Sequence, residues 1–77
     1  MHNKTKPSPI GNNIRKWRAV RGYKQDTFAQ MVGISKATLS KLENDKQGVT
    51  IPRLHKIAAC LKIKATQLFN DPSELLS

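Results

Sequence analysis

The sequence predicts an all-α fold, a compact bundle of five helices, and three observations support this prediction. Apolar residues recur at intervals of three and four along most of the chain, which places them on one face of a helix. No segment alternates apolar and polar residues with a period of two, so no β-strand is expected. Glycines, prolines and hydroxyl side chains separate the apolar stretches, as they commonly do at helix ends.

A basic arm precedes the first predicted helix. Residues 1–9 contain two prolines and offer no apolar face, so we expect a flexible arm. A helix is predicted from Ile10 to Arg21, and Gly22 is expected to end it. Its apolar stripe consists of Ile10, Ile14, Trp17 and either Val20 or Arg21.

Two short helices are predicted next, on either side of a tight turn. The first covers residues 25–32, and Gly33 is expected to end it because glycine tolerates the positive φ of such a turn. The second covers residues 36–44, with the hydroxyl group of Ser35 as its N-cap. Its only large apolar side chains are two leucines, so most of its surface is expected to face outward.

The last two predicted helices complete the bundle. The fourth begins after Thr50, which is expected to cap it, and the fifth covers residues 65–70. These elements define one predicted domain over residues 10–70, followed by a short tail over residues 71–77. The apolar stripes are Ile51, Leu54, Ile57, Ala58 and Leu61 in the fourth helix, and Leu68 and Phe69 in the fifth.

The chain is strongly basic, with 14 Lys and Arg against 5 Asp and Glu and a formal net charge of +9. Its first 24 residues hold seven of the basic side chains and no acidic one. Such a charge attracts polyanions such as DNA, RNA or anionic lipid, although many basic domains bind none of them. The chain has neither an apolar run long enough to cross a membrane nor the apolar stretch of a signal peptide, so no membrane partner is expected.

Side chains suited to catalysis or metal binding are few. Cys60 is the only cysteine, so the chain forms no internal disulfide, which fits a reducing cytoplasm. His55 and Cys60 lie on one predicted helix without further ligands, so no zinc site is expected. The acidic residues do not pair for acid–base catalysis, and there is no glycine-rich phosphate loop. We therefore expect no enzymatic activity, no metal and no cofactor.

Residues 25–42 read QDTFAQMVGISKATLSKL, and this spacing suits two short helices that cross closely around a turn. Ala29 is small where the helices approach, Gly33 lies in the turn, and Leu39 is placed to reach back to the first helix of the pair. The pattern is typical of a helix-turn-helix. An ordinary pair of packed helices remains the alternative for this segment alone.

The match extends further, through the stretches RKWRAVRGYKQDTFAQMVGIS, ATLSKLEND and LHKIAACLKIKATQLF. On these residues the chain resembles the lambda-repressor/Cro-like (XRE-type) helix-turn-helix family, and the resemblance covers about residues 10–69. The resemblance implies a five-helix domain that binds double-stranded DNA sequence-specifically. It also implies that the domain acts as a homodimer on DNA to repress or activate transcription.

The resemblance also implies roles for individual residues, with the helix over residues 36–44 in the major groove. The residues expected to contact bases are Ser35, Lys36, Ala37, Ser40 and Lys41, and those expected to contact phosphates are Gln25, Thr38, Asn44 and Lys46. The two lysines among the base contacts are long enough to bind phosphate instead. Arg18 and Glu43 are expected to form a structural salt bridge that orients this helix, with DNA contact by Arg18 as the alternative.

Four positions depart from the family pattern. Lys24 stands where many relatives have Ser or Thr as a helix cap, and Thr27 replaces a frequent Glu. Lys62 and Lys64 replace a frequent Gly and a frequent Ser. We expect weaker helix caps and additional positive charge at these positions.

The sequence therefore predicts a small cytoplasmic transcriptional regulator that binds DNA as a homodimer, joined through the fifth helix and the nearby loop. An antitoxin-like module, which binds a toxin partner as well as DNA, is the alternative from another functional class. A restriction-control protein is a further possibility. Neighbouring toxin, methyltransferase or nuclease genes would distinguish these functions.

Overall fold

The computed structural model describes residues 10–73, which form four α-helices, one 3-10 helix and no strand. The elements are α1 (Ile10–Arg21), α2 (Gln25–Val32), α3 (Lys36–Glu43), α4 (Ile51–Leu61) and the 3-10 helix (Ala65–Phe69). The prediction of an all-α bundle is confirmed. The predicted arm, residues 1–9, and the end of the predicted tail, residues 74–77, lie outside the described residues.

The predicted count of five α-helices is wrong, because the fifth element is a 3-10 helix of 5 residues. The side chain of Gln67 accepts a hydrogen bond of 2.8 Å from the backbone N–H of Lys64, which fixes the start of this element. Asn70 is extended, and Asp71 precedes Pro72, which disfavours a helical conformation at residue 71. A segment bounded this closely has room for a tight 3-10 turn and not for an α-helix of ordinary length.

Apolar side chains from all five elements form one core. Its buried members are Ile14, Trp17, Phe28, Ala29, Val32, Leu39, Leu42, Leu54, Ile57, Ala58, Leu61 and Leu68. Three residues of the predicted stripes are exposed instead: Val20 by 47%, Ile51 by 65% and Phe69 by 51%. Each lies in the first or last turn of its helix, where no neighbouring element covers it, so the predicted stripes are wrong at these positions.

Trp17 is the largest side chain of the core and is only 2% exposed. Its indole Nε1 has no hydrogen-bond partner among the described residues, and the guanidinium of Arg21 lies 5.7 Å from the ring centroid. An unpaired buried donor costs about 1–3 kcal/mol. Burying roughly 200 Å² of aromatic surface contributes about 5 kcal/mol. Burial of the ring therefore outweighs the unpaired donor and places Trp17 in the scaffold.

The turn between α2 and α3 is held by backbone and hydroxyl hydrogen bonds. Gly33 adopts a left-handed conformation with φ 86°, and its N–H donates to the carbonyl oxygens of Ala29 and Gln30. The hydroxyl oxygen of Ser35 accepts a hydrogen bond of 3.0 Å from the backbone N–H of Thr38. The predicted glycine turn and serine cap are both confirmed, and together they fix the direction in which α3 begins.

The end of α3 lies directly against the start of α1. A Cβ atom on Gly11 would lie 1.8 Å from the carbonyl oxygen of Leu42, so only glycine fits at this approach. The N–H of Gly11 donates a hydrogen bond of 3.0 Å to the carboxylate of Asp45, a residue in the left-handed region with φ 56°. Asp45 therefore caps the first turn of α1 from the loop that follows α3.

The chain after the 3-10 helix is attached to α1. Lys16 and Asp71 form an ion pair, and the N–H and hydroxyl groups of Ser73 donate to the same carboxylate. The bond from Lys16, followed by those from Ser73, lowers the pKa of the Asp71 carboxyl to about 2. Asn13 is buried and donates to the carbonyl oxygen of Leu68 at 3.0 Å. The chain thus stays packed as far as Pro72, which is buried, and the boundary between domain and tail remains a prediction.

Two of the expected weak caps are present in the structure. Lys24 precedes α2 with an extended backbone and no side-chain capping bond. Lys62 follows α4 in the left-handed region, with φ 60° and ψ 43°, and its N–H donates to the carbonyl oxygens of Ala58 and Ala59. A residue with a Cβ atom is strained there, whereas glycine is not.

We expect Lys62→Gly to raise the free energy of unfolding by about 1 kcal/mol, because it relieves the left-handed strain and keeps the backbone hydrogen bonds. Urea denaturation followed by circular dichroism measures the change. Lys56→Gly is the matched control, since it removes the same charge from an exposed position inside α4. The control is expected to lose about 1 kcal/mol. A Lys62→Gly variant no more stable than the parent protein would contradict the assignment of strain.

Candidate nucleic-acid interface

One face of α3 is buried and the opposite face is open. Leu39 and Leu42 are fully buried, and Glu43 is 2% exposed. Four of the predicted base-contacting residues share the opposite face because their spacing places them on neighbouring turns. Of these, Lys36, Ala37 and Lys41 are exposed, and Ser40 is half-buried. We call this set, Lys36, Ala37, Ser40 and Lys41, the outer face of α3.

Ser35 lies at the start of this face and is exposed. Its hydroxyl group accepts from the N–H of Thr38 and donates to the Thr38 hydroxyl oxygen at 2.9 Å. The predicted base contact and the predicted phosphate contact are therefore bonded to each other. The hydroxyl hydrogen of Ser35 is used in this bond. Thr38 is half-buried, and its own hydroxyl hydrogen remains able to donate.

The loop after α3 carries the other two predicted phosphate contacts. Asn44 is exposed, and its side-chain amide donates to the carbonyl oxygen of Ser40 at 2.8 Å. Lys46 is exposed, and its backbone N–H donates to the carbonyl oxygen of Lys41 at 2.9 Å. One amide hydrogen of Asn44 is thus used to cap the end of α3. The ammonium group of Lys46 extends from a backbone that is held close to that end.

The buried carboxylate of Glu43 holds the end of α3 against α1. Its side chain is 1% exposed and forms an ion pair with Arg18, as the resemblance implies. Arg18 donates to Glu43 through Nε at 2.6 Å and through Nη2 at 3.0 Å. Its Nη1 donates to the carbonyl oxygen of Tyr23 at 2.9 Å. All three guanidinium nitrogens therefore bond within the protein, which identifies Arg18 as part of the scaffold.

A third donor reaches the same carboxylate. The side-chain amide of Gln25, the first residue of α2, donates to Glu43 at 3.0 Å. Neither this bond nor the bond between Gly11 and Asp45 was predicted from the sequence. The partners lie 18 and 34 residues apart, so no local pattern marks either pair.

The charges of the described residues are divided between scaffold and surface. Each of their four acidic side chains accepts a hydrogen bond within the protein: Asp26, Glu43, Asp45 and Asp71. All four basic residues of α1 also donate hydrogen bonds within the protein: Arg15, Lys16, Arg18 and Arg21. The exposed lysines around the helix-turn-helix are Lys24, Lys36, Lys41 and Lys46. Positive charge near α3 therefore comes from these lysines more than from α1, despite the high charge of the first 24 residues.

Residues 10–73 contain no group of three or more His, Cys, Asp or Glu side chains placed to hold a metal ion. None of the helices described for the chain is long and apolar enough to cross a membrane.

Comparison with known proteins shows where this arrangement recurs. Residues 14–68 match the helix-turn-helix family model HTH_3. The uncharacterized HTH-type transcriptional regulator RghRB of Bacillus subtilis (strain 168) is 42% identical over 57 residues, which cover 73% of this chain and 41% of RghRB. The chain thus spans less than half the length of that relative.

Two further relatives are small proteins of different roles. Control protein C.MunI of Mycoplasma sp is 34% identical over 63 residues, which cover 80% of this chain and 85% of C.MunI. Antitoxin HipB of Escherichia coli (strain K12) is 30% identical over 60 residues, which cover 78% of this chain and 68% of HipB.

A solved structure has the same fold. The crystal structure of SinR, the master regulator for biofilm formation, in complex with DNA superimposes with a TM-score of 0.73 and 31% identity. The match covers 79% of this chain and 98% of the SinR chain. The family match, the relatives and the shared fold agree with the sequence resemblance. The chain therefore belongs to the XRE-type helix-turn-helix family of transcriptional regulators.

Proposed function

We propose that this protein is a small transcriptional regulator that binds specific sequences of double-stranded DNA, with α3 in the major groove. The observation that carries the proposal is the outer face of α3, which is polar and basic, while two buried leucines and Glu43 hold the opposite face. The major groove, about 12 Å wide, admits an α-helix. The relation to SinR, which has been crystallised with DNA, supports the same conclusion.

The chemistry of the outer face suits base edges. Lys36 and Lys41 carry donors that match the O6 and N7 acceptors of guanine, and Ala37 offers a methyl group to thymine. Ser40 has a hydroxyl group that donates or accepts. Ser35 caps the start of the helix and contributes its remaining lone pair, since its hydroxyl hydrogen is bonded to Thr38.

Phosphate contacts flank this face. Gln25 begins α2, where backbone N–H groups of the first turn have no carbonyl acceptor and favour an anion, although that of Thr27 already donates to the Asp26 carboxylate. Thr38, Asn44 and Lys46 lie at the flank and at the end of α3. Lys46 supplies the full charge among them, and the other side chains supply neutral donors.

Two copies bind half-sites about 34 Å apart on one face of the DNA. They join at the 3-10 helix and the nearby loop, where Phe69 is 51% exposed. The protein acts in the cytoplasm by binding alone, without catalysis or a cofactor.

A second candidate function is binding of a protein partner as well as DNA. The relation to the antitoxin HipB favours it, because a toxin would be the partner in that case. The relation to control protein C.MunI instead favours regulation of restriction–modification genes. Co-purification of a protein bound to the tagged chain would favour the antitoxin-like function.

DNA affinity is expected to fall steeply as salt rises, because lysines that neutralise phosphates release counterions. Titrating a duplex at several salt concentrations measures the slope of log Kd against log salt. Lys46→Ala is expected to reduce that slope by about 0.9 for each bound chain. Lys56→Ala is the matched control, since Lys56 is exposed on α4, which packs against α1, α2 and the 3-10 helix. An affinity independent of salt would rule out the proposed function.

Lys36→Ala and Lys41→Ala are expected to change sequence preference by about 1–3 kcal/mol at the base pair each lysine reads. Gln25→Ala is expected to weaken binding to all sequences alike, because phosphates carry no sequence information. Competition binding against a panel of single-base variants of the preferred site separates the two behaviours. Equal losses on every sequence would show that the two lysines contact phosphates only.

A further inference from the structure

The amide of Gln25 has a fixed orientation in the free protein. It lies beside the carboxylate of Glu43, which is 1% exposed and forms an ion pair with Arg18. An ionised carboxylate only accepts hydrogen bonds, so the amide must turn its NH₂ group, and not its oxygen, towards Glu43. One amide hydrogen is spent on this bond, and the second is held in the plane of the same amide.

We infer that Glu43 is a positioning residue for DNA phosphate, because its carboxylate holds the Gln25 amide in the orientation that donates to a phosphate oxygen. The inference rests on the proposed function, in which Gln25 contacts a phosphate. A glutamine that is free in solution loses rotamer freedom when it binds, which weakens the contact by about tenfold. Gln25 is half-buried and already bonded, so most of that loss has occurred before DNA arrives.

The same carboxylate ties this contact to the reading helix. Glu43 is the last residue of α3, Gln25 is the first of α2, and Arg18 belongs to α1. A phosphate held at Gln25 is therefore connected to the end of α3 through a single buried group. This connection fixes the height and rotation of the outer face relative to the DNA backbone.

Positioning and simple electrostatics predict opposite effects of removing the Glu43 charge. A negative charge close to DNA repels it, so Glu43→Gln should strengthen binding if only charge matters. Under the positioning role, Glu43→Gln weakens binding, because the new amide presents a donor as well as an acceptor and no longer holds the Gln25 amide in one orientation. The sign of the change separates the two effects.

The experiment is a double-mutant cycle for binding to a short DNA duplex of arbitrary sequence at low salt. Gln25→Ala is expected to weaken binding about tenfold, because a hydrogen bond to a charged phosphate is lost. Glu43→Gln is expected to weaken binding by a similar factor, and the double variant no further than Gln25→Ala alone. Asp71→Asn breaks the ion pair with Lys16, which also joins distant segments, and is expected to leave affinity unchanged. Circular dichroism shows that each variant is folded at the temperature used.

Losses that multiply in the double variant would overturn the inference, as would unchanged or tighter binding by Glu43→Gln. If Glu43→Gln does not fold, side-chain amide NMR of the parent protein decides the matter. The Gln25 NH₂ hydrogens are expected to exchange with solvent more slowly than those of Gln30 and Gln47, which are exposed. Equal exchange rates would contradict the inference. If the parent protein does not bind DNA, the proposed function is contradicted. A negative result of the double-mutant cycle alone contradicts only the inference about Glu43.

Discussion

The bonds to the Glu43 carboxylate fix α3 relative to the two helices before it. α3 buries two leucines, and apolar contacts are not directional. The donors from Arg18 and Gln25 add directional contacts, because each must meet a carboxylate oxygen at hydrogen-bond distance. Removing one partner of such a buried pair costs about 3–5 kcal/mol, since the other charge is left without compensation. The bonds thus determine the direction in which the outer face of α3 points.

The end of α3 is held a second time, from the start of α1. The close approach at Gly11 and the cap from Asp45 bring the loop after α3 against the first turn of α1. Glu43, Asp45 and Asp71 thus join distant segments, whereas Asp26 accepts from the N–H of its neighbour Thr27. Lysines predominate on and directly after α3, where the exposed Asp45 is bonded to Gly11, and this excess of positive charge suits a polyanionic partner.

Much of the fold was predictable because residues at the helix ends determine where the helices begin and end. Gly33 and Ser35 mark the turn, and the bounds of α1 and α2 agree with the helical spacing of their apolar residues. α3 ends at Glu43, one residue before the predicted end, with Asn44 as its C-cap. The outer face followed from the scarcity of apolar residues in this helix, whereas the contacts of its individual side chains with DNA remain predictions.

The features that were not predictable depend on distant residues or on chain ends. The exposure of Val20, Ile51 and Phe69 reflects which element covers a terminal turn, and periodicity carries no information about that. The bond between Gln25 and Glu43 depends on the crossing of α2 and α3, which the sequence spacing leaves open. The 3-10 geometry of the last helix follows from the bonds that close a segment of 5 residues.

Selection of binding sites from random duplex DNA, followed by sequencing, tests the central claim most directly. The claim is that α3 reads base edges from a rigid scaffold and that two copies act together. The predicted result is an enriched motif with two related half-sites whose centres lie about 10 base pairs apart. Recovery of DNA without any enriched motif, although the protein binds it, would show that the outer face of α3 does not read sequence.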